Sequence, residues 1–154
     1  MTDKFPLPFT AFNFRVELIL NGDSQPLCQA GFAECSGLEM TMKPKTIQEG
    51  GRNDQQIHLF GPVTYGQLSL KRGMTDSFEL WNWFEQVLQQ DKHGLRASGL
   101  IVMLANNPQS EQAVFKLTNC LPVKLRAPAL NAKEGLIAIE EMEIAYERLK
   151  IEHP

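Results

Sequence analysis

Apolar and polar residues alternate near the N-terminus of this chain, and this alternation is the strongest indication of its fold. On one parity stand Phe12, Phe14, Val16, Leu18 and Leu20, and on the other Asn13, Arg15 and Glu17. Successive side chains of a strand point to opposite faces of its sheet, so a period of two is typical of a strand with one buried face. The same pattern recurs at Gln67–Gly73 and at Phe115–Val123, where Pro122 is expected to end the strand. The chain is therefore predicted to be mainly β.

Further strands are expected between these segments. After a turn at Asn21–Asp23, one is predicted over Leu27–Cys35 and another from Leu38 to about Ile47, and the apolar run Leu100–Leu104 also has strand character. The polar, glycine-rich stretch Gln48–Pro62 has little to offer a core. It can be either the tip of a long hairpin or a loop that orders against something else.

One amphipathic helix is predicted at about residues 76–90. Its apolar stripe comprises Phe78, Trp81, Phe84, Val87 and Leu88 at helical spacing, and Leu80 and Trp83 widen it. Its polar side comprises Glu79, Asn82, Glu85, Gln86 and Gln89. Either Thr75 or Asp76 can cap the helix, and Asp76 and Glu79 have the spacing of a capping box, which favours a helix start there.

The C-terminal segment Lys133–Lys150 is ambiguous from its residues alone. Its Ala, Glu, Leu and Met content favours a helix, whereas the common parity of Leu136, Met142 and Ile144 allows a strand. Strands arranged around a single helix predict an antiparallel β-barrel or sandwich, with the helix covering one opening or edge. We expect a single domain over residues 1–154.

Composition excludes several classes of function. The 15 Lys and Arg residues against 18 Asp and Glu give a net charge of −3, so no basic excess supports binding of nucleic acid through bulk charge. Cys28, Cys35 and Cys120 are spread without zinc or disulfide spacing and are expected to be unlinked thiols in a reducing compartment. Residues 1–8 contain no apolar leader segment, and the longest apolar run, Leu100–Ala105, is too short to cross a bilayer. Cytoplasmic synthesis without membrane insertion is the expectation.

No catalytic, cofactor or metal site is predicted. The chain lacks GxSxG, P-loop, GxGxxG and HExxH motifs. Cys120 with His58 stays open as a nucleophile and base, although a core cysteine and a surface histidine is the favoured interpretation. Three further groups are interpreted structurally: a solvated acidic face at Glu140, Glu141 and Glu143, isolated surface charge at Lys71, Arg72 and Arg96, and core packing at Trp81 and Trp83.

The order of several short motifs is more specific than any one of them. In sequence they are Gly31-Phe32-x-Glu34-x-Ser36-Gly37-Leu38-Glu39, Glu49-Gly50-Gly51-Arg52-Asn53, Leu68-x-Leu70-Lys71-Arg72-Gly73-Met74-Thr75, Leu80-Trp81-x-Trp83, Asn119-Cys120-Leu121-Pro122-Val123-Lys124, Ala127-Pro128-x-Leu130-Asn131-Ala132 and Ile137-Ala138-Ile139-Glu140-Glu141-Met142-Glu143-Ile144. From about Phe9 to Leu149 the chain resembles the tail tube proteins of contractile phages. It resembles more closely those of phage-tail-like contractile injection systems.

This resemblance implies a fold and an assembly. The fold is a β-barrel-like sandwich with one flanking helix, related to the tube protein of type VI secretion. Hexameric rings of such subunits stack into a hollow tube inside a contractile sheath. The resemblance also implies a strand at Ile137–Glu147. It further implies an extended loop or hairpin at about 43–62 that contacts the neighbouring ring through Glu49, Gly50, Gly51, Arg52 and Asn53.

Within that assembly we expect the polar helix face to point toward the sheath and polar strand faces to line the lumen. The candidate lumen residues are Asn13, Arg15, Glu17, Gln67, Ser69, Lys71, Lys116 and Thr118. The implied partners are further copies of the chain, the sheath protein, baseplate and spike proteins, a terminator cap and cargo. Cys28, Cys35 and Lys43–Lys45 depart from the family pattern and leave open a variant ring at the baseplate end. A monomeric ligand-binding β-barrel and an enzyme are the rival classes.

Overall fold

A computed structural model describes residues 7–9, 11, 13–23, 25–48, 56–89, 95–105 and 110–153. These residues form twelve strands and one helix. The strands are β1 (Phe14–Leu20), β2 (Cys28–Ala30), β3 (Glu34–Ser36), β4 (Met40–Met42), β5 (Lys45–Gln48), β6 (Gln56–Leu59), β7 (Val63–Tyr65), β8 (Gln67–Gly73), β9 (Ala97–Leu104), β10 (Glu111–Arg126), β11 (Ile139–Ala145) and β12 (Arg148–Glu152). The helix, α1, spans Glu79–Leu88. The prediction of a mainly β chain with one helix is confirmed.

Eight of the strands form one antiparallel sheet that is folded into two halves. We call the half with the order β2-β1-β9-β10-β12 the first sheet, and the half with the order β10-β11-β8-β3 the second sheet. Strand β10 belongs to both halves, because its first part pairs with β9 and β12 and its last part with β11. The path ends at β2 and β3, which are consecutive in the chain but do not pair with each other among the described residues. The sheet is therefore a sandwich-like fold without hydrogen-bonded closure.

Strand β10 bends where it passes from one sheet to the other. Asn119 has a positive φ of 53°, and the register with β9 shifts between Leu117 and Cys120. The Asn119 amide nitrogen donates to the Glu147 carboxylate at 2.8 Å, and the Glu147 backbone N–H donates to the Thr118 carbonyl at 3.0 Å. These two hydrogen bonds join the bend in β10 to Glu147, which lies between β11 and β12, and so they stabilise the bend. The prediction that Pro122 ends the strand is wrong, since the proline stands at a register shift and pairing with β11 continues to Arg126.

The core lies between the inner faces of the two sheets and is filled by alternate residues of their strands. Fully buried side chains from three strands are Val16 and Leu18 of β1, Leu68 and Leu70 of β8, and Met142 and Ile144 of β11. Leu80 and Trp83 of α1 join this core. The alternation in the sequence thus identified the buried parity of β1 and β8 correctly.

Several predicted strand boundaries are wrong, because strand pairing divides these segments at other positions. The segment Leu27–Cys35 holds two short strands, β2 and β3, that belong to opposite ends of the sheet path. The segment from Leu38 to about Ile47 is likewise divided into β4 and β5, with Lys43 and Pro44 between them. In the ambiguous C-terminal segment, the structure forms β11 and β12, and the strand implied by the resemblance is confirmed at Ile139–Ala145.

The helix is shorter than predicted, and its start is not a capping box. Its N-cap residue is Phe78, which makes no side-chain cap hydrogen bond. The Thr75 hydroxyl instead accepts from the Ser77 backbone N–H at 3.2 Å. The expected role of Asp76 is therefore wrong, because the helix begins only at Glu79 and the residues from Met74 to Phe78 are not helical.

Candidate assembly surfaces

A buried charge cluster fixes the helix to the second sheet. We use this name for Arg72 of β8, Glu140 of β11, and Glu79 and Trp81 of α1. The Arg72 guanidinium donates to Glu140 at 2.5 Å and to Glu79 at 3.1 Å, and the Trp81 indole N–H donates to Glu140 at 2.8 Å. Glu140 is 0% exposed and Arg72 is 5% exposed, and the Arg72 guanidinium lies 5.4 Å from the ring centre of Phe32. Each buried charge therefore has an oppositely charged partner, which offsets the cost of removing it from water.

This cluster corrects three predictions. Arg72 is not isolated surface charge, and Glu140 does not belong to a solvated acidic face, because β8 and β11 pair with these two residues opposite each other on the inner parity. Glu79 points toward Arg72 instead of standing on the outer side of the helix. Partial burial raises the pKa of Glu79, but hydrogen bonds from its own backbone N–H, Arg72 and Ser77, together with the charge of Arg72, lower it more, so the net pKa is below its ordinary value.

The remaining polar residues of the helix are accessible to solvent. Asn82, Glu85 and Gln89 are exposed and Gln86 is half-buried, whereas Trp83 on the opposite side is fully buried. Four of the five residues expected to face a sheath thus share an accessible side of α1.

A hairpin arm comprises residues 40–48 and 56–65, and its strands pair with neither of the two sheets. Within it β4 pairs only with β7, and β5 only with β6, among the described strands. Seven large apolar side chains of the arm are at least 38% exposed, namely Met40, Met42, Ile47, Ile57, Leu59, Phe60 and Val63. The proposed contact residues Glu49, Gly50, Gly51, Arg52 and Asn53 lie outside the described residues. Sequence reasoning missed the apolar character of the arm, although Ile57 and Leu59 alternate with Gln56 and His58.

The base of the arm is attached to the second sheet by one tyrosine and one glycine. The Tyr146 hydroxyl donates to the Gly37 carbonyl at 2.7 Å and accepts from the Glu39 backbone N–H at 3.0 Å. The rings of Tyr146 and Tyr65 pack with their centres 5.7 Å apart. Gly37 has a φ of +93°, and a Cβ there would lie 1.8 Å from the Gln67 carbonyl oxygen. Only glycine fits this position, which is where the chain turns from β3 toward the arm.

The candidate lumen residues fall on two different sheets. Arg15, Glu17, Lys116 and Thr118 share the outer face of the first sheet, because Glu17 and Lys116 both stand opposite Leu100 of β9. Arg15 pairs there with Glu17 at 3.2 Å and with Glu111 at 2.9 Å. Asn13 precedes β1 on the same parity. Lys71, Gln67 and Ser69 belong to the outer face of the second sheet instead, where Lys71 pairs with Glu34 at 3.3 Å.

The chemistry of the described residues offers no assembled reactive site. Cys120 is fully buried in the core, where burial raises the pKa of its thiol to about 12, and His58 is exposed on the arm. A cavity of about 440 Å³ is lined mainly by apolar side chains and by Cys35, whose pKa burial raises to about 11. Both thiols are therefore protonated at neutral pH and poor nucleophiles. The described part of the chain contains no group of three or more His, Cys, Asp or Glu residues that could hold a metal ion.

The fold and its exposed features define a class: a two-sheet antiparallel β protein with a separately paired hairpin arm that carries exposed apolar side chains. A family model for the T4-like virus tail tube protein gp19 matches residues 10–150 of this chain. The chain belongs to this tail tube family. The comparison with curated proteins returned no match. No helix in the described ranges is long and apolar enough to span a membrane.

Solved structures of injection systems share the fold over nearly the whole chain. A chain in the 6-fold symmetrised baseplate of the anti-feeding prophage (AFP) is 26% identical, with a TM-score of 0.84 and coverage of 97% of this chain and 98% of that chain. A chain in the sheath–tube complex of the extracellular contractile injection system PVC is 17% identical, with a TM-score of 0.80 and coverage of 96% and 93%. Hcp1 from Flavobacterium johnsoniae is 14% identical, with a TM-score of 0.56 and coverage of 91% and 96%.

Proposed function

We propose that this chain is the structural subunit of the inner tube of a contractile injection apparatus. In this proposal hexameric rings stack into a hollow tube, sheath contraction drives the tube out, and its lumen conducts cargo. Membership of the tail tube family supports the structural role, as does the fold shared with chains of the AFP baseplate and the PVC sheath–tube complex. The function is carried by surfaces and requires no catalytic residue.

The arm is the observation that carries the proposal. A two-stranded ribbon alone in water is at best marginally stable, and soluble monomers rarely expose large contiguous apolar patches. In the arm, Phe60 is 78% exposed and Met40 is 61% exposed, and no strand of either sheet pairs with the described part of the ribbon. A neighbouring ring that covers the arm would remove this apolar surface from water and order the ribbon at the same time. The residues that the family resemblance implies for this contact, 49–53, are assigned to the same inter-ring role.

Ring closure uses the ends of the sheet. Strands β2 and β12 each pair on one side only within the described chain, as does β3. Such edges recruit other strands unless they are blocked. A head-to-tail contact between one end and the other, repeated after a fixed rotation, closes into a ring. We therefore assign ring formation to these edges and ring stacking to the arm.

The lumen and the sheath then face opposite parts of the subunit. The outer face of the first sheet, with Arg15, Glu17, Lys116 and Thr118, is assigned to the lumen, since its polar, partly ion-paired surface offers cargo little to adhere to. The accessible side of α1, with Asn82, Glu85 and Gln86, is assigned to the sheath. A small polar contact at this place allows the tube to slide when the sheath contracts.

Electron microscopy of the purified protein tests the proposal. The wild type should form rings and tubes. Phe60→Ser should still give rings but far fewer and shorter tubes, because it removes an exposed apolar side chain from the arm without disturbing the core. Leu88→Ser is the matched control, since Leu88 is 66% exposed at the end of α1 and has no role in the absence of sheath. Normal tubes from Phe60→Ser would contradict the inter-ring role of the arm.

The same preparation tests the assignment of the helix. Glu85→Lys should leave tubes intact but weaken co-assembly with the sheath protein, because it reverses an exposed charge on the face assigned to the sheath. Glu134→Lys, in the exposed loop after β10, reverses an equivalent charge away from that face. Equal sheath binding by both variants would place the sheath contact elsewhere.

A second candidate function is an adaptor or terminal ring of the same machine. The similar AFP baseplate chain favours it, as does a chain of the AFP tube-terminating cap that is 17% identical with a TM-score of 0.84 and is covered over 97% of its length. An adaptor ring should form rings that never polymerise, whatever the protein concentration. Long homopolymeric tubes of the wild type would exclude it.

A further inference from the structure

The free edge of the first sheet is basic although the chain as a whole is acidic. Lys150 of β12 stands directly opposite Lys116 of β10, and Arg148 stands opposite Thr118. Among the described residues neither Arg148 nor Lys150 has a carboxylate within 4.0 Å, and Lys116 has only Glu152 at 4.0 Å. We call Arg148 and Lys150 of the edge strand β12 the basic edge.

This arrangement costs stability in the isolated subunit. Like charges directly opposite each other on neighbouring strands repel, and Lys116 and Lys150 occupy such a pair. Both side chains are exposed, so solvent screens the repulsion without removing it. The cost of this repulsion is offset if the two lysines lie near negatively charged groups in an assembly.

The β3 end of the sheet path is acidic. Glu34 is on the free strand β3, Gly37 and Leu38 separate Glu39 from that strand, and both glutamates are exposed. The Glu34 side chain is 66% exposed and pairs with Lys71 at 3.3 Å. We call Glu34 and Glu39 the acidic end. The free edges at β12 and at β3 thus carry opposite charge.

We propose that the basic edge of one copy binds the acidic end of the next, and that this charge asymmetry enforces head-to-tail association. The inference rests on the proposed ring function and adds to it the contact that orients each subunit relative to the next one in the ring. Two β12 edges that met around a two-fold axis would bring Arg148 and Lys150 against their own copies. Two basic edges repel each other, whereas a basic edge and an acidic end attract each other. A two-fold pair would end growth as a dimer, and only the heterologous contact repeats until it closes.

The first experiment reverses one charge of the basic edge. Lys150→Glu should raise the protein concentration needed for ring formation by about tenfold or more at low salt, because the new carboxylate repels the acidic end of the neighbouring copy. The same substitution places opposite charges on the Lys116 pair, so the melting temperature of the subunit should be unchanged or higher. Lost assembly therefore cannot be ascribed to misfolding. Lys133→Glu, in the exposed loop before β11, is the matched control and should assemble normally.

The second experiment restores assembly by mixing. Glu34→Lys should fail alone for the same reason as Lys150→Glu, with Glu134→Lys as its matched control. A mixture of Lys150→Glu and Glu34→Lys should form rings again, because alternating copies match opposite charges at both of their contacts. A single chain that carries both substitutions should also assemble. Raising salt to about 0.5 M should weaken wild-type rings and lessen the difference between wild type and either variant.

The outcomes separate this inference from the proposed function. If the wild type forms no rings under any condition, the proposed function fails. If it forms rings and Lys150→Glu assembles like Lys133→Glu, the proposed function stands and the charge inference is overturned. Failure of the mixture to recover would also overturn it, since it would show that the two positions do not face each other. Symmetric dimers of the wild type through β12 would contradict the selection against two-fold pairing.

Discussion

Replacing Glu140 by glutamine tests whether the buried charge cluster holds the helix to the second sheet. Glutamine has nearly the same shape, and its amide oxygen can still accept from the Trp81 indole. Its NH2 group, however, would face the Arg72 guanidinium, which donates to Glu140 in the wild type. Two donors would then oppose each other in a place where Glu140 is 0% exposed, and Arg72 would lose its buried counter-charge.

The size of the effect follows from burial and from the remaining partner. Breaking a buried ion pair by removing one member costs about 3–5 kcal/mol. Arg72 keeps Glu79 at 3.1 Å, whose side chain is 31% exposed, so the low end applies and we expect about 3 kcal/mol. For a chain of this length, 1 kcal/mol corresponds to about 2–4 °C, which gives a fall in melting temperature of about 6–12 °C.

Urea unfolding below the assembly concentration, followed by Trp fluorescence, measures this change in a subunit free of ring contacts. Arg72→Met should cost a similar amount, because it leaves the Glu140 carboxylate buried and unpaired. The double variant Arg72→Met with Glu140→Leu should be much less destabilised than the sum of the two single changes, since no charge is left behind. A loss below about 1 kcal/mol for Glu140→Gln, or additive effects in the double variant, would show that the ion pair does not hold the helix to the sheet.

Three further predictions concern the arm and the pH dependence of stability. Tyr146→Phe should lower the free energy of unfolding by about 1–2 kcal/mol in urea, because the Gly37 carbonyl and the Glu39 N–H lose their common partner; an unchanged midpoint would contradict this. Gly61→Ala should abolish stacking of rings in electron micrographs while circular dichroism stays the same, because its Cβ would lie 1.7 Å from the Lys43 carbonyl oxygen. The extra stability of the wild type over Glu79→Gln should be fully present above the ordinary pKa of a glutamate and lost as the pH falls through the lowered pKa of Glu79; a difference that persisted in acid would argue against an ionic contribution.

The strands with clean alternation were predictable because their pattern depends on local geometry alone. In β1 and β8 every second side chain enters the core, so the buried parity could be assigned from the residues. The C-terminal strand β11 could not be assigned in this way. Its helix-forming residues compete with its alternation, and the competition is decided by β8 and β10, which pair with it on both sides.

The candidate surfaces were predictable only in part. The accessible side of α1 follows from helical periodicity, apart from Glu79, which turns toward a residue seven positions earlier in the chain. Arg72 and Glu140 are separated by 68 positions and become partners only when β8 and β11 pair. The division of the candidate lumen residues between two sheets also depends on pairing, because each strand shows its polar parity without showing which sheet it joins.

Residue periodicity predicted a mainly β chain with one amphipathic helix, and the order of the motifs indicated the tail tube family. Alternation and short motifs are local properties, so these predictions need no knowledge of distant contacts. Strand pairing was needed to show that two charged residues lie in the core, that the polar hairpin is an arm with exposed apolar side chains, and that the free edges at β12 and β3 differ in charge. Burial and electrostatic pairing depend on neighbours in space, and in an antiparallel sheet most of those neighbours are far apart in the chain.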